Sequence, residues 1–479
     1  MKLTEILNNV TTIQAPSRDI EISDICFDSR QVSKGSLFAC LKWMDINGHE
    51  YANAAVLKGA AVILAEDEID VPCDVIYVKD SKEAFAQISA NFYHHPADAL
   101  KLIGITGTNG KTTVSHLIRN ILEFCNRRSG LIGTNNNIIG SREVKSKNST
   151  PFPNELHEMF REMADFEDEY AIMEVTSHAL DLKRVWGLTF DVAAFTNLTQ
   201  DHLDFHHDME SYFDAKKKII PMAKTLLVNE DDEYGMRIKE EKYDNVKTFS
   251  CKNKSADYFA DHIALTARGV LFDLVYEGQR AEIRLQIPGS FSVYNALCAA
   301  AVCLELGISI EDIEKGLMLV RGVMGRAEVV PTSTDYTVII DYAHSPDSLK
   351  NIITTVKEFA EGRVITVFGC GGDRDPLKRP IMGRIAGELS DFCVVTSDNP
   401  RTEDPHSIIL EVLEGVREVT EDFTEIDNRK EAIGYALAIA KKGDVVILAG
   451  KGHETYQILG KEKVDFDERK IVREFLNKA

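Results

Sequence analysis

A turn bracketed by glycines, with a lysine and two hydroxyls behind it, stands at Ile103-Gly104-Ile105-Thr106-Gly107-Thr108-Asn109-Gly110-Lys111-Thr112-Thr113. The backbone N–H groups of such a loop, where it opens a helix, converge on phosphate oxygens. Gly107, Thr108, Asn109 and Gly110 would form the cradle, and Lys111 would neutralise the β/γ-phosphates. The hydroxyl of Thr112 or Thr113 would reach a Mg²⁺. The general pattern G-x-x-x-x-G-K-[ST] asks for glycine at 105, where Ile105 stands; the alternative is an ordinary strand–turn–helix. Glu174 closes Ile172-Met173-Glu174-Val175-Thr176-Ser177-His178 and offers a carboxylate for the same metal.

A His-rich loop follows, Thr196-Asn197-Leu198-Thr199-Gln200-Asp201-His202-Leu203-Asp204-Phe205-His206, and its spacing matches no zinc motif. Asp208 is placed to cap a helix running through Tyr212-Phe213-Asp214-Ala215-Lys216. Taken alone, Lys216-Lys217-Lys218 reads as a solvated basic face. Further on, three polar loops follow three apolar runs. They are Phe368-Gly369-Cys370-Gly371-Gly372-Asp373-Arg374-Asp375, then Thr396-Ser397-Asp398-Asn399-Pro400-Arg401, then Ala449-Gly450-Lys451-Gly452-His453-Glu454. Loops at the carboxyl ends of parallel strands describe one ligand crevice. For Asp398 to Arg401 the alternative is an Asx-Pro turn before the helix that starts at Asp404-Pro405.

These groups need rigid elements beneath them. An apolar run from Leu100 to Ile105 precedes the phosphate loop, and a helical pattern from Lys111 to Phe124 follows. Runs at 170–173, 192–195 and 225–228 predict further strands of a parallel sheet covered on both faces. Ala281 to Ile287 alternates until Pro288-Gly289, and an Ala-rich helix is expected from Tyr294 to Leu306. Runs at 338–340, 364–368, 392–395 and 445–448 predict a second doubly wound unit. The expected fold class is α/β with three domains. These are a small α/β domain at 1–97, a central P-loop ATPase-type parallel-sheet domain at 98–328 and a Rossmann-like domain at 329–479. The first boundary falls at His94-His95-Pro96, where proline disfavours a continuing helix.

Thr-Gly-Thr-Asn-Gly-Lys-Thr-Thr, with the first P-loop glycine missing, resembles the Mur ligase family, ATP-dependent enzymes that add amino acids to the peptidoglycan precursor. Folylpolyglutamate synthetases are their relatives. The resemblance runs the length of the chain. It makes Lys111, Glu174, His202 and Lys216 the catalytic set, with Lys216 carbamylated (N6-carboxylysine). The implied metal ligands are Thr113, Glu174, His202 and that carbamate. It implies ATP contacts at Gly107 to Thr113, Asn295, Arg326 and Asp341. The UDP-precursor is expected at Ser29 of Phe27-Asp28-Ser29-Arg30, at Asn148, Ser149 and Thr150, and at Thr176 and Arg184. Lys42 to His49 departs from the family's Gly-rich loop there. The acceptor is expected at Arg374, Asp398, Asn399, Pro400, Arg401, Gly450 and Glu454. Asp-Asn-Pro-Arg is the family version that adds meso-diaminopimelate rather than L-lysine, since a distal carboxylate needs a bidentate cation. The implied reaction joins meso-diaminopimelate to UDP-N-acetylmuramoyl-L-alanyl-D-glutamate with Mg²⁺ and ATP. An L-lysine ligase and a folylpolyglutamate synthetase are the alternatives.

The chain has 479 residues, Lys plus Arg 55 and Asp plus Glu 76, hence a net charge of −21. That argues against a nucleic-acid or anionic-membrane surface. Nine scattered cysteines without Cys-x-x-Cys suit free thiols in a reducing cytoplasm. The start of the chain shows no basic-then-apolar signal region, and the longest apolar run, Ala296 to Leu304, is too short for a bilayer. A cytoplasmic monomer without membrane insertion is expected.

Overall fold

Apolar runs become buried strands and amphipathic patterns become the helices that cover them. The computed structural model describes residues 1–43, 46–266 and 269–477. It divides into two compact units, residues 1–259 with 298–316, and residues 260–297 with 317–479.

The first unit carries two sheets. The smaller comprises β1 (Thr12–Gln14), β2 (Asp24–Cys26), β3 (Ser36–Ala39), β4 (Val62–Ala65) and β5 (Asp74–Val78), in the order β1-β5-β4-β3-β2. Only β1 runs antiparallel. Helix α1 (Ser81–Phe92) packs Phe85 and Ile88 beneath it. The chain leaves α1 through His94 and His95, both at positive φ, and Pro96 starts a short 3₁₀ turn.

The larger sheet follows. Its elements are β6 (Lys101–Thr106), α2 (Lys111–Phe124), β7 (Ser129–Ile132), β8 (Asn136–Ile139), β9 (Arg142–Lys145), α3 (Pro153–Asp165), β10 (Tyr170–Glu174), β11 (Phe190–Phe195), α4 (Met209–Lys217), β12 (Ala223–Asn229), α5 (Glu233–Glu240) and β13 (Val246–Ser250). The strand order is β9-β8-β7-β10-β6-β11-β12-β13. The core from β7 to β13 is parallel, as buried two-sided strands require; β8 and β9 add an antiparallel hairpin at the edge. The face of α2 with Val114, Leu117, Ile118, Ile121 and Leu122 is buried at helical spacing. Strand β14 (Tyr258–Thr266) begins beside β13.

In the second unit, β15 (Gly269–Tyr276) and β16 (Gln279–Leu285) form an antiparallel pair. The expected alternation is seen: Ala281, Ile283 and Leu285 face inward. Helix α6 (Ser290–Glu305) starts four residues before the expected Tyr294; from Cys298 it belongs to the first unit, as does α7 (Ile310–Met318) up to Gly316. The carboxylate of Glu358 accepts from Ser290 N at 3.1 Å and from Ser290 Oγ at 2.9 Å, so a residue far along the chain caps the first turn.

The remaining elements are β17 (Glu328–Val330), β18 (Thr337–Asp341), α8 (Pro346–Lys357), β19 (Val364–Phe368), α9 (Lys378–Leu389), β20 (Phe392–Thr396), α10 (Pro405–Arg417), β21 (Phe423–Ile426), α11 (Arg429–Ile439), β22 (Val445–Ala449), β23 (Tyr456–Leu459), β24 (Glu462–Asp465) and α12 (Glu468–Leu476). The order β17-β18-β22-β19-β20-β21 is parallel apart from β17. Ser345 caps α8 and Asp404 caps α10, each with proline at the first helical position. All nine cysteines are free. Among the described residues no helix is long and apolar enough to cross a membrane.

Candidate functional site

The phosphate loop leaves β6 and enters α2 at the N-cap Gly110. Gly107 has φ +144, and a Cβ there would fall 1.9 Å from Thr196 Oγ1, so only glycine fits. Ile105, where the general pattern has glycine, is a fully buried strand residue paired with Glu174. The loop is clamped by the segment that follows β11. Asn109 N donates to Asn197 Oδ1 at 2.9 Å, Thr196 Oγ1 to Asn109 O at 2.6 Å, and Thr108 N to Asn197 O at 2.9 Å. Lys111 Nζ donates to Gly107 O and Thr108 O, both at 2.9 Å.

Glu174 ends β10 with 1 % exposure. Its Oε1 accepts from Thr112 Oγ1 at 2.9 Å and from Thr134 N at 2.8 Å; its Oε2 accepts from Thr134 Oγ1 at 2.8 Å. The hydroxyl of the phosphate loop that meets this carboxylate is therefore that of Thr112. Thr113 is buried in the first turn of α2.

Lys216 is 1 % exposed, unlike its neighbours in the basic run. Lys217 pairs with Glu241 at 2.7 Å and Lys218 with Asp181 at 2.6 Å. Lys216 Nζ instead donates to Gly107 O at 2.9 Å and lies 4.9 Å from the Tyr212 ring centre. Two lysine ammonium groups thus converge on one carbonyl. Burial, and then the charge of Lys111, push the Lys216 amine well below the ordinary lysine range. Asp208 caps α4 by accepting from Ser211 N at 2.7 Å, which fixes the turn that aims Lys216 inward. His202 has φ +55 and lies 3.5 Å from Asp201. Its ring stands 4.9 Å from His178 and 6.2 Å from Tyr212. Burial lowers the affinity of both imidazoles for a proton, and His178 is pushed down to about 4 with His202 and His206 adding to the effect.

A second group of expected residues lies beside Glu174. Thr150 Oγ1 donates to Glu174 O at 2.8 Å and accepts from Thr176 N at 3.1 Å. Ser149 Oγ and Thr134 Oγ1 are 2.8 Å apart, and Asn148 is exposed. Arg184 Nη1 donates to Thr150 O at 3.0 Å, and its guanidinium sits 3.9 Å over the Phe152 ring. Burial brings it down to about 10. Phe27 stacks on the Phe152 ring at 4.2 Å, and Trp43 lies 5.6 Å from each. Ser29 sits in the turn beyond Phe27, beside Asp28, which pairs with Arg30 at 2.8 Å. Met44 and Asp45 lie outside the described residues.

In the second unit the three polar loops leave the carboxyl ends of β19, β20 and β22. Arg401 Nη1 donates to Gly372 O at 2.6 Å, and a Cβ on Gly371 would meet both Arg401 and Arg374. Arg374 Nη1 donates to Asp373 O at 3.0 Å. Asp398 is 8 % exposed. Its Oδ1 accepts from Asn399 N at 2.7 Å, and its Oδ2 is buried with no hydrogen-bond partner among the described residues. Gly450, at φ +119, passes so close that a Cβ would lie 2.6 Å from that oxygen. Asn399 Nδ2 donates to Glu454 Oε2 at 2.9 Å. Pro400 O lies against Gly372. Arg326 lies 5.1 Å over the Tyr342 ring, and its charge opposes the rise that burial imposes on Asp341. Asp341 accepts from Ala327 N at 2.7 Å. Asn295 is buried on α6.

Three family profiles match in succession: the Mur ligase family catalytic domain over residues 21–93, the Mur ligase middle domain over 105–303, and the Mur ligase glutamate ligase domain over 325–452. The chain is 45% identical over 484 residues to the UDP-N-acetylmuramoyl-L-alanyl-D-glutamate–2,6-diaminopimelate ligase 1 of Clostridium acetobutylicum, covering 99% of each. The chain belongs to the Mur ligase family. A solved structure titled as a UDP-N-acetylmuramoyl-L-alanyl-D-glutamate–2,6-diaminopimelate ligase superimposes with TM-score 0.73 at 29% identity, covering 100% of this chain and 99% of the other. The MurF ligase of Thermotoga maritima, solved in complex with ADP, shares the fold at TM-score 0.60 and 17% identity, over 95% of this chain and 97% of that one.

For this Mur ligase the structure adds residues that motif reading passed over. Among the described residues Thr134 supplies two of the three donors to the Glu174 carboxylate; its signal was another Gly-Thr after an apolar run, Leu131 to Thr134. Phe27, Trp43 and Phe152 are scattered in sequence, and no spacing announces their cluster. Among the described residues no group of three or more His, Cys, Asp or Glu side chains is disposed to hold a metal ion.

Proposed function

We propose that this Mur ligase, an ATP-dependent amide-bond-forming enzyme of peptidoglycan precursor synthesis, adds meso-diaminopimelate to UDP-N-acetylmuramoyl-L-alanyl-D-glutamate. The observation that carries the acceptor is that one loop cluster offers a guanidinium, Arg401, held on Gly372 O, a buried and unpartnered carboxylate oxygen of Asp398, and the Asn399-bound carboxylate of Glu454. A guanidinium takes the distal carboxylate, and Asp398, Asn399 and Glu454 face the distal ammonium. Arg374 takes the remaining carboxylate, while Pro400 and Gly450 shape the walls. Relatives matched along their whole length, named as 2,6-diaminopimelate ligases, support the same acceptor.

The D-glutamate carboxylate of the precursor attacks the γ-phosphorus of ATP, releasing ADP. The amine of the acceptor then attacks the acyl phosphate, releasing phosphate and a proton and leaving the amide. Gly107 to Thr113 bind the nucleotide phosphates, and Lys111 offsets charge spreading over the transferred group. Asn295, Arg326 and Asp341 serve the nucleotide; Ser29, Asn148, Ser149, Thr150, Thr176 and Arg184 serve the precursor. Bound Mg²⁺ would supply charge neutralisation to the phosphates, held by the Thr112 or Thr113 hydroxyl, Glu174, His202 and the Lys216 carbamate. The uncharged Lys216 amine adds CO₂ through its nitrogen lone pair and loses one proton to form that carbamate. The functional segments are 1–97, 98–328 and 329–479, working as a cytoplasmic monomer.

Phosphate release from ATP with the UDP-dipeptide precursor tests the reading. Turnover is expected with meso-diaminopimelate and not with L-lysine; equal or faster turnover with L-lysine removes the acceptor assignment. Pteridine-dependent turnover would instead identify a folylpolyglutamate synthetase.

A further inference from the structure

Lys451 is 0 % exposed, in the loop between Gly450 and Glu454. Its Nζ donates to Asn399 Oδ1 at 3.1 Å and to Glu454 Oε2 at 3.0 Å. The rings of Tyr456 and Phe466 each lie 5.9 Å from it. Asn399 Nδ2 closes the triangle on Glu454 Oε2, and Ile458 N holds Asn399 Oδ1 from the other side at 2.9 Å. An ammonium taken out of water is costly unless it is paired and hydrogen-bonded. Here it is paired to the two side chains placed above on the acceptor's distal end.

We propose that Lys451 is a positioning residue that makes this end of the site select a zwitterionic head over a bare ammonium. The inference rests on the acceptor reading given above. Asp398 and Glu454 carry two negative charges; Lys451 and Arg401 carry two positive ones. Glu454, Arg401 and Asp398 all act on the Tyr456 hydroxyl, which marks their shared neighbourhood. At the outer edge, Asp373 is flanked by Arg374 and Arg401. A head bearing both ammonium and carboxylate enters this balanced set without adding charge, and gives Arg401 its anion. L-lysine brings a lone ammonium to a glutamate that Lys451 has already neutralised, beside an arginine left without a partner carboxylate. Lys451 thereby acts as the repulsive element against the wrong acceptor. It also orients Asn399 and Glu454 for the right one.

The test is steady-state turnover of the whole enzyme with ATP, the UDP-dipeptide and either meso-diaminopimelate or L-lysine. In Lys451→Met the ratio of kcat/KM values is expected to move toward L-lysine by about ten-fold or more, since the substrate's own ammonium can take the vacated place beside Glu454. The KM values for ATP and for the precursor stay at wild type, and Lys451→Arg recovers part of the wild-type ratio. A parallel fall with both amino acids, leaving the ratio unchanged, overturns the proposal. Lys451→Gln keeps a donor to Asn399 and Glu454 without the charge. It must shift the ratio the same way, so an unchanged ratio there overturns the proposal even if Lys451→Met does not fold. Arg401→Ala separates the two claims. If it leaves the KM for meso-diaminopimelate untouched, the acceptor reading itself fails. If it raises that KM while the Lys451 variants keep the wild-type ratio, only the role of Lys451 fails.

Discussion

Lys216 shows how far one residue's chemistry depends on its surroundings. In a run of three lysines it is the buried one, bonded to the same carbonyl as Lys111. Ordinary lysine is protonated at neutral pH and cannot add CO₂. Burial and the neighbouring charge shift this amine toward its neutral form. The sign follows directly: the neutral amine persists to lower pH than in free lysine, and it is lost as pH falls through the depressed value. Lys216→Ala is expected to cut turnover by at least about 10²-fold, with partial recovery on adding a short carboxylate that restores the missing oxygen. Wild-type activity should fall as pH is lowered and rise again with added bicarbonate. Full activity of Lys216→Ala without any added carboxylate would show that the amine has no such part.

At the scale of elements, the site is made of strand ends held by side chains from the next loop. Asn197 and Thr196, after β11, fasten the loop after β6, and Thr134, after β7, fastens the end of β10. Parallel strands put all these ends on one side of the sheet. Helices are set by caps, and the caps differ in how local they are. Asp208, Ser345 and Asp404 cap their own helices and are legible as such in sequence. Helix α6 takes its cap from Glu358. Glu358→Ala is expected to cost about 1 kcal/mol at the start of α6. Amide hydrogen exchange in that first turn should then speed up by about five-fold, with other helices unchanged. Exchange at the wild-type rate would mean that the carboxylate contributes nothing to the cap.

For the whole molecule, the charge of −21 does not prevent an enzyme of phosphates and carboxylates. Lys111 stands beside Lys216 at Gly107 O, and Arg374 and Arg401 lie together at Gly371, so the cations are few and local. The first unit joins two sheets through Phe27, Trp43 and Phe152, with Lys183 pairing to Asp80 at 2.6 Å and to Glu83. Phe152→Ala is expected to lower stability by about 2 kcal/mol through the lost packing. It should raise the KM for the UDP-precursor by about ten-fold, because Arg184 loses its platform, and leave the KM for ATP unchanged. Equal changes in both KM values would point to general loosening of the unit. The parallel strands, the helix from Lys111 to Phe124 and the residue types of the phosphate and acceptor loops could be read from the sequence alone, because periodicity and turn chemistry are local. Only the tertiary structure decided that Thr112 meets Glu174, that Lys216 leaves its basic run for the phosphate loop, and that Lys451 lies between Asn399 and Glu454. Those contacts join residues far apart in the chain. Their energies depend on burial and on opposing charges that no local window contains.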